Sequence, residues 1–514
     1  MAGSFLPYHE PGIVEILIII SFFFILSLAE WASAKIIRAG IIGHIAVGII
    51  YGKPLADILE ADWQKTFLSL GYVGLILIIF EGGLSARIDL LKANLMLSML
   101  GAATGVCMPI GLSYLLLYLG FGYGAVETFI IGAALSATSL GTTFAVISSA
   151  SSTVDLAQTR VGSVLVSAAV IDDVVGLVMA SVIGNLGQIE GGQDVNLGWL
   201  IGRPIVASIG MAIVTPVVTK YLFAPIFRRF IEHHFARYDH ISNIILMTLS
   251  LSAFITIAAY TGTSVLFGAF LAGTFLTYIP SKHPEGPFVV MSREEGERFA
   301  DKSPTFVHTF ERYLMDVQKY LMEPLFFASI GFAIPFVQLW TGKRIWRGIV
   351  FTLLMGFAKV FLFRSCFPIA FTTNSDQFIV GIWLPLWTWS PVSSLFGKKH
   401  SHRGEKSEAR EEHPTAQDVE DKRKDHRTIW LSALLLGAAM VARGEIGLLI
   451  IEIGYNETSY VSEEGLITGV WAILLNTIIG PATVGILVKY CGQRIGNGEW
   501  GLQEPVVPTQ TAAV

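Results

Sequence analysis

Asp172 and Asp173 stand side by side in an apolar run of helical length, AAVIDDVVGLVMASVIG. Placing one ionised carboxylate at the centre of a bilayer costs roughly 2.5–3.5 kcal/mol, and a pair about twice that. Folding stability does not select such a pair. Ionisable residues at that depth mark the path of an ion, a proton or a substrate. Carboxylate oxygens are hard ligands of the kind that hold cations, and they also take up protons. Competition between proton and cation for the same oxygens is sufficient to couple their movements.

The partner of such a pair must lie at the same depth. At about 1.5 Å per helical residue, Asp172 sits roughly 18 Å along its helix from Arg160 at the inner end. Lys359, deep in GIVFTLLMGFAKVFLF, lies roughly 18 Å from Arg347 at the outer end, hence about 12 Å from the inner boundary of a 30 Å core. The two depths agree to about one turn. A buried lysine and a buried carboxylate lessen each other's desolvation cost. The other reading, a lysine that snorkels to the interface, asks for a long reach from that position. Neighbouring helical residues point about 100° apart, so one aspartate can hold the counter-charge while the other faces a cation.

These residues need membrane-spanning helices to hold them. The 514-residue chain is 53% hydrophobic and 15% charged, with a mean hydropathy of +0.61. Soluble domains carry about 25% charged residues, so composition specifies an all-α polytopic membrane protein and excludes a soluble enzyme or a nucleic-acid binder. The net charge of −5 says little, because charge is confined to loops. Cys107, Cys366 and Cys491 are far apart and give no disulfide framework or metal spacing. The first apolar stretch is too long for a signal peptide and lacks a basic leader, which predicts a retained span.

With about 20 apolar residues per crossing, the chain gives thirteen candidate spans: 13–34, 36–51, 66–84, 93–119, 125–149, 159–186, 199–223, 242–260, 262–279, 318–338, 345–368, 429–452 and 464–489. Two pairs, 13–34/36–51 and 242–260/262–279, are so close that tight hairpins are predicted. Phe378–Phe396 is also apolar, but two prolines and three tryptophans suit an interfacial or re-entrant segment. The positive-inside rule supports leaving it out. With thirteen spans and residues 1–12 outside, the inner loops carry Lys35/Arg38, Arg87/Lys92, Arg160, Arg228/Arg229/Arg237, Lys282/Arg293/Arg298/Lys302 and Lys489/Arg494. The outer loops 120–124, 187–198 and 453–463 hold no lysine or arginine, and only Lys53/Lys65 and Lys343/Arg344 run against the trend. The organisation predicted is a transmembrane unit over 13–396, a charged cytosolic loop over 397–428 with the composition of a disordered segment, two last spans within 429–489, and a cytosolic tail 490–514. The loop is read either as regulatory or as a tolerated insertion. Asn456-Glu457-Thr458 matches a glycosylation sequon in an outer loop.

Two spans break helical regularity near mid-membrane. The fifth holds Ser136-Ala137-Thr138-Ser139-Leu140-Gly141-Thr142-Thr143, and the twelfth holds Ala442-Arg443-Gly444-Glu445. Irregular backbone at depth is tolerated where it lines a cavity or is buried in protein, and interrupted helices in corresponding halves point to an inverted-repeat transport site. The offset of seven spans gives the two breaks opposite orientations, as an inverted repeat demands. For the first run, close packing through small residues is the competing explanation. Glu81 in IIFEGGL reads equally as an ion-path residue or a structural acceptor. Glu323, ahead of Pro324, reads as a helix-boundary or packing residue, and His44 as a helix-interface histidine.

VIDDVVGLV, ALSATSLGTT, FEGGL, FGAFLAG, EPLFFASIGFAIP, the lysine of GFAKV and MVARGEIGLLI, in their order along the chain, resemble the second monovalent cation:proton antiporter family. Its electrogenic Na+/H+ antiporters are most alike. The resemblance runs from about residue 36 to 489. It implies thirteen helices in a core domain, crossed by two broken helices, and a dimerisation domain, hence a homodimer. It assigns Asp173 as the ion-binding aspartate, Asp172 as the one paired with Lys359, and Thr138 to the broken helix beside the cation. Ser139, Glu81, Arg443 and Glu445 are supporting candidates. Relatives with Asn or Gln at the first aspartate resemble electroneutral or potassium-linked members. The insertion before Leu431 resembles that of fungal members.

The expected function is exchange of Na+, with Li+ and K+ as further candidates, for H+ at Asp172 and Asp173. No enzymatic activity, cofactor or nucleic-acid partner is expected, and the plasma membrane is favoured over an organelle. Electroneutral K+/H+ exchange is the alternative within the class. A cation channel needs no lysine competing for the carboxylates. An intramembrane aspartyl protease needs aspartates facing across a cleft, and its GxGD signature is absent. A receptor without transport leaves three buried charges unexplained.

Overall fold

The computed structural model describes residues 10–36, 39–86, 95–138, 160–187, 197–231, 238–279, 305–372 and 430–496. All regular structure there is helical: α1 (Ile13–Ile36), α2 (Gly40–Tyr51), α3 (Ala61–Leu84), α4 (Leu95–Ser113), α5 (Ala125–Ala134), α6 (Arg160–Leu186), α7 (Leu197–Val218), α8 (Asp239–Thr261), α9 (Val265–Tyr278), α10 (Phe306–Tyr313), α11 (Glu323–Ala333), α12 (Gly342–Thr372), α13 (Trp430–Ala439), α14 (Glu445–Asn456) and α15 (Glu463–Gly496). Among the described residues, seven helices are long and apolar enough to cross a membrane, and five shorter ones are apolar. This is an integral, multi-pass membrane protein. Phe378–Phe396, the charged 397–428 segment and the tail beyond Gly496 lie outside the described residues.

Local sequence explains most boundaries. The α8–α9 hairpin turns at Gly262, whose φ of +82° is left-handed, and restarts at Ser264, whose side chain accepts from Leu266 N. Such a φ disfavours any residue with a Cβ. The candidate 318–338 divides in two: a wider π turn, Gln318–Met322, leads into α11, where Pro324 sits in the first turn and needs no donor. Glu323 is therefore a boundary residue, as its place before proline predicts.

The helices pack in two groups. One joins α1, α2, α3, α8, α9, α10 and α11; the other joins α4, α5, α6, α12, α14 and α15. Helix α13 belongs to the second: its Ala433, Leu436 and Ala439 share a buried apolar cluster with Val164, Leu165 and Val484. Helix α7 touches α6 on one side and α9 on the other. In the first group small residues allow near backbone contact. A Cβ added to Gly48 of α2 would stand 2.1 Å from the Ala328 carbonyl oxygen of α11. Gly48→Ala is accordingly expected to destabilise the protein by about 1–3 kcal/mol, the usual cost of overpacking, seen as a lowered Tm in detergent.

Candidate functional site

The site lies where two interrupted helices of the second group meet. Helix α5 ends at Ala134, and the chain continues as a turn and then irregular backbone through Thr138. Its last turn closes with Leu135 N donating to Ile131 O (3.0 Å) and Ser136 N to Ala133 O (3.1 Å). The carbonyls of Ser136 and Ala137 lie beyond this last turn of α5. Likewise α13 ends at Ala439, and α14 begins at Glu445 with Gly444 as its N-terminal cap. Arg443, in that second gap, donates through Nη1 to Ser136 O (2.9 Å) and Ala137 O (2.8 Å). One break satisfies the other. The carbonyl end of α5 carries partial negative charge, which suits a guanidinium.

Helix α6 brings Asp172 to this crossing, and α12 brings Lys359. Lys359 Nζ lies 3.7 Å from Asp172 Oδ2 and donates to Ser136 O at 3.1 Å and Thr138 Oγ1 at 3.4 Å. Thr138 in turn donates to Asp172 Oδ2. These groups are sealed from solvent: Asp172 and Arg443 are 0% exposed, Lys359 2% and Thr138 3%. Gly105 of α4 makes room for the lysine, since a Cβ there would stand 3.1 Å from Nζ. Asp173, one residue on, is partly buried. Two cationic and two carboxylate side chains thus occupy one crossing of broken backbone, with Asp172 Oδ1 and Arg443 Nε and Nη2 lacking hydrogen-bond partners among the described residues. The donor set of carboxylate, hydroxyl and carbonyl oxygens fits a hard monovalent cation.

Depth arithmetic therefore puts Lys359 with Asp172, and the two irregular runs do meet. Ser139 lies outside the described residues, as does the side chain of Glu445. Glu81 is elsewhere: it accepts from Gln318 Nε2 of the π turn, inside the first helix group. The structure thus gives it an acceptor role, one of its two readings. His44 stacks on Phe327 and lies 3.4 Å from Glu30, a helix-interface histidine as expected. The sequon is poorly presented, because Thr458 is buried and bonded to Gly454 O.

Several residues escape the sequence reading. Asn476 and Thr477 of α15 are buried beside the second break, and Thr477 Oγ1 donates to Arg443 O at 2.8 Å. Their signal is an Asn-Thr pair in the apolar run LLNTIIGPAT. Glu127 is buried at the start of α5 and accepts from Gly124 N at 3.2 Å and Ser462 N at 2.9 Å. Two of the basic residues that run against the positive-inside trend, Lys343 and Arg344, have acidic partners here. Arg344 pairs with Glu463 at 2.9 Å and Lys343 with Glu464 at 3.8 Å, beside the Arg347–Glu464 pair.

Residues 18–388 match the family of transmembrane sodium/hydrogen exchangers. The chain belongs to that family. The match holds Thr138, Asp172, Asp173 and Lys359 of this exchanger but stops short of Arg443. Individual relatives differ in how much of the chain they cover. A Na+/H+ antiporter of Enterococcus hirae is 22% identical over 461 residues, 88% of this chain and 92% of that protein. The probable Na+/H+ antiporter GerT of Bacillus cereus is 25% identical over 65% of this chain and 77% of its own length. The Na+/H+-K+ antiporter GerN of the same organism is 25% identical over 65% and 74%. The fold is that of the sodium proton antiporter MjNhaP1 from Methanocaldococcus jannaschii, with a TM-score of 0.50 at 18% identity, covering 92% of this exchanger and 99% of that chain.

Proposed function

We propose that this exchanger moves Na+ against H+ by alternating access, with Asp172 and Asp173 as the shared site. The observation that carries the reading is the sealed Lys359–Asp172 pair at the crossing of two helix breaks. In the state open to the outside, protons load the aspartates. In the state open to the inside, their release lets a cation displace Lys359 and bind at Asp173 and Asp172. Exchange of two protons per Na+ moves one net charge, worth about 2.3 kcal/mol per 100 mV. The two helix groups, which meet through α7 and where α6 touches α9 and α11 touches α14, support rocking of one body against the other.

The Asp-Asp pair with its lysine supports the electrogenic members of the second cation:proton antiporter family over electroneutral ones, and the 397–428 insertion supports a fungal type. K+ is the ion to test beside Na+ and Li+, since the name of GerN includes it. A homodimer with thirteen spans follows from the same resemblance. The distribution of lysine and arginine supports an outer N-terminus and a cytosolic C-terminus, and we place the chain in the plasma membrane. No cofactor and no catalysis enter this scheme.

Proteoliposomes with an acidic lumen and a trapped pH dye test it. Added Na+ is expected to alkalinise the lumen, faster when the imposed potential favours net charge movement. An equal response to K+ with no voltage dependence would favour electroneutral exchange. Absence of proton movement with either ion would end the antiport reading.

A further inference from the structure

We propose that Asn476 is a positioning residue that receives the Lys359 side chain when a cation takes its place at Asp172; this rests on the antiport reading above. Asn476 is 0% exposed, and among the described residues neither its Oδ1 nor its Nδ2 has a hydrogen-bond partner. Buried amides in native proteins almost always find partners, so one beside a transport site points to a partner met in another state. Asn476 faces α12: a Cβ added to Gly356 would stand 4.0 Å from its Oδ1. Gly356 precedes Lys359 by three residues, and positions three apart share a helix face. The lysine stem therefore leaves α12 along the stripe that Asn476 overlooks. Thr477, bonded to Arg443 O, fixes this turn of α15 against the second break.

The need for such an acceptor follows from the present contacts. Lys359 Nζ holds Ser136 O, Thr138 Oγ1 and Asp172 Oδ2, the oxygens best placed for a cation. An incoming cation takes Asp172 and repels the ammonium. Among the unpartnered groups at the crossing, Arg443 Nε and Nη2 only donate, and Asp172 Oδ1 goes to the cation. The Asn476 amide can do what they cannot. Its Oδ1 accepts from an ammonium and its Nδ2 donates to a neutral amine, so it serves the lysine in either protonation state.

Two substitutions of similar size separate this role from a structural one. Asn476→Asp supplies a stronger partner away from Asp172, and the Na+ concentration for half-maximal flux is expected to fall about tenfold. Asn476→Leu removes the acceptor, and that concentration is expected to rise about tenfold, as for loss of one hydrogen bond to a charged group. The maximal rate should change much less than the concentration dependence. Unchanged values, or shifts in the same direction, would overturn the proposal. If the Leu variant does not accumulate as folded protein, the Asp variant decides alone: a fall supports the role, and no change or a rise overturns it. The unsubstituted protein is assayed in the same vesicles. If it shows no cation-driven proton flux, the antiport reading itself fails, whereas normal flux with unshifted variants removes only the role of Asn476.

Discussion

Asp172→Asn is expected to abolish cation-coupled proton flux and to destabilise the protein by about 3–5 kcal/mol, the cost of removing one partner from a buried ion pair. The carboxylate lies 3.7 Å from Lys359 Nζ with both side chains almost wholly buried. Its Oδ2 also takes the Thr138 hydroxyl. An amide there leaves Lys359 beside Arg443 with one fewer negative charge at the same crossing. The companion variant, Asp172→Asn with Lys359→Met, removes both charges, and replacing a buried pair by apolar groups is often neutral for stability. It should regain most of the lost Tm while remaining unable to exchange. Thermal unfolding in detergent with dye-based flux on the same preparations reads both effects. A single variant as stable as the parent would show that the pair contributes no charge–charge stabilisation.

Residue-level chemistry explains which parts of this architecture are visible in sequence. The Lys359–Asp172 pairing is legible because a helix converts residue number into depth, and charges in an apolar run stand out. The two breaks are legible because hydroxyl and small residues, or an Arg-Gly-Glu run, interrupt otherwise uniform hydrophobicity. Which break touches which is not legible. Arg443 reaches the carbonyls of Ser136 and Ala137 across 307 and 306 positions of sequence, and backbone acceptors leave no mark on residue type. Glu81 reads two ways because its partner, Gln318, comes from a π turn that shifts the face presented by that helix. Asn476 is overlooked for a plainer reason: an uncharged amide barely lowers the hydropathy of its run. Lys343 and Arg344 look like topological exceptions until Glu463 and Glu464 appear beside them.

Asp173→Asn is expected to remove exchange as fully as Asp172→Asn while costing less stability, and this difference assigns the two aspartates separate roles. Asp173 follows Asp172 on α6 and points about 100° away; it is partly rather than wholly buried. Its substitution leaves the Lys359–Asp172 pair and the Thr138 bond to Asp172 in place. What the cation loses is a second anionic ligand. For charges about 4 Å apart at an effective dielectric of 20, that attraction is roughly 4 kcal/mol, equivalent to about a thousandfold in cation affinity. Lys359 keeps its partner, and the weakened cation no longer displaces it. Na+ added to vesicles with an acidic lumen should then leave the dye signal flat, while the Tm falls by less than in Asp172→Asn. Parental flux from Asp173→Asn would show that Asp172 alone exchanges cation for proton. A stability loss equal to that of Asp172→Asn would instead make both aspartates counter-charges for Lys359 and Arg443, and the cation would have to be held by the hydroxyl and carbonyl oxygens of the first break.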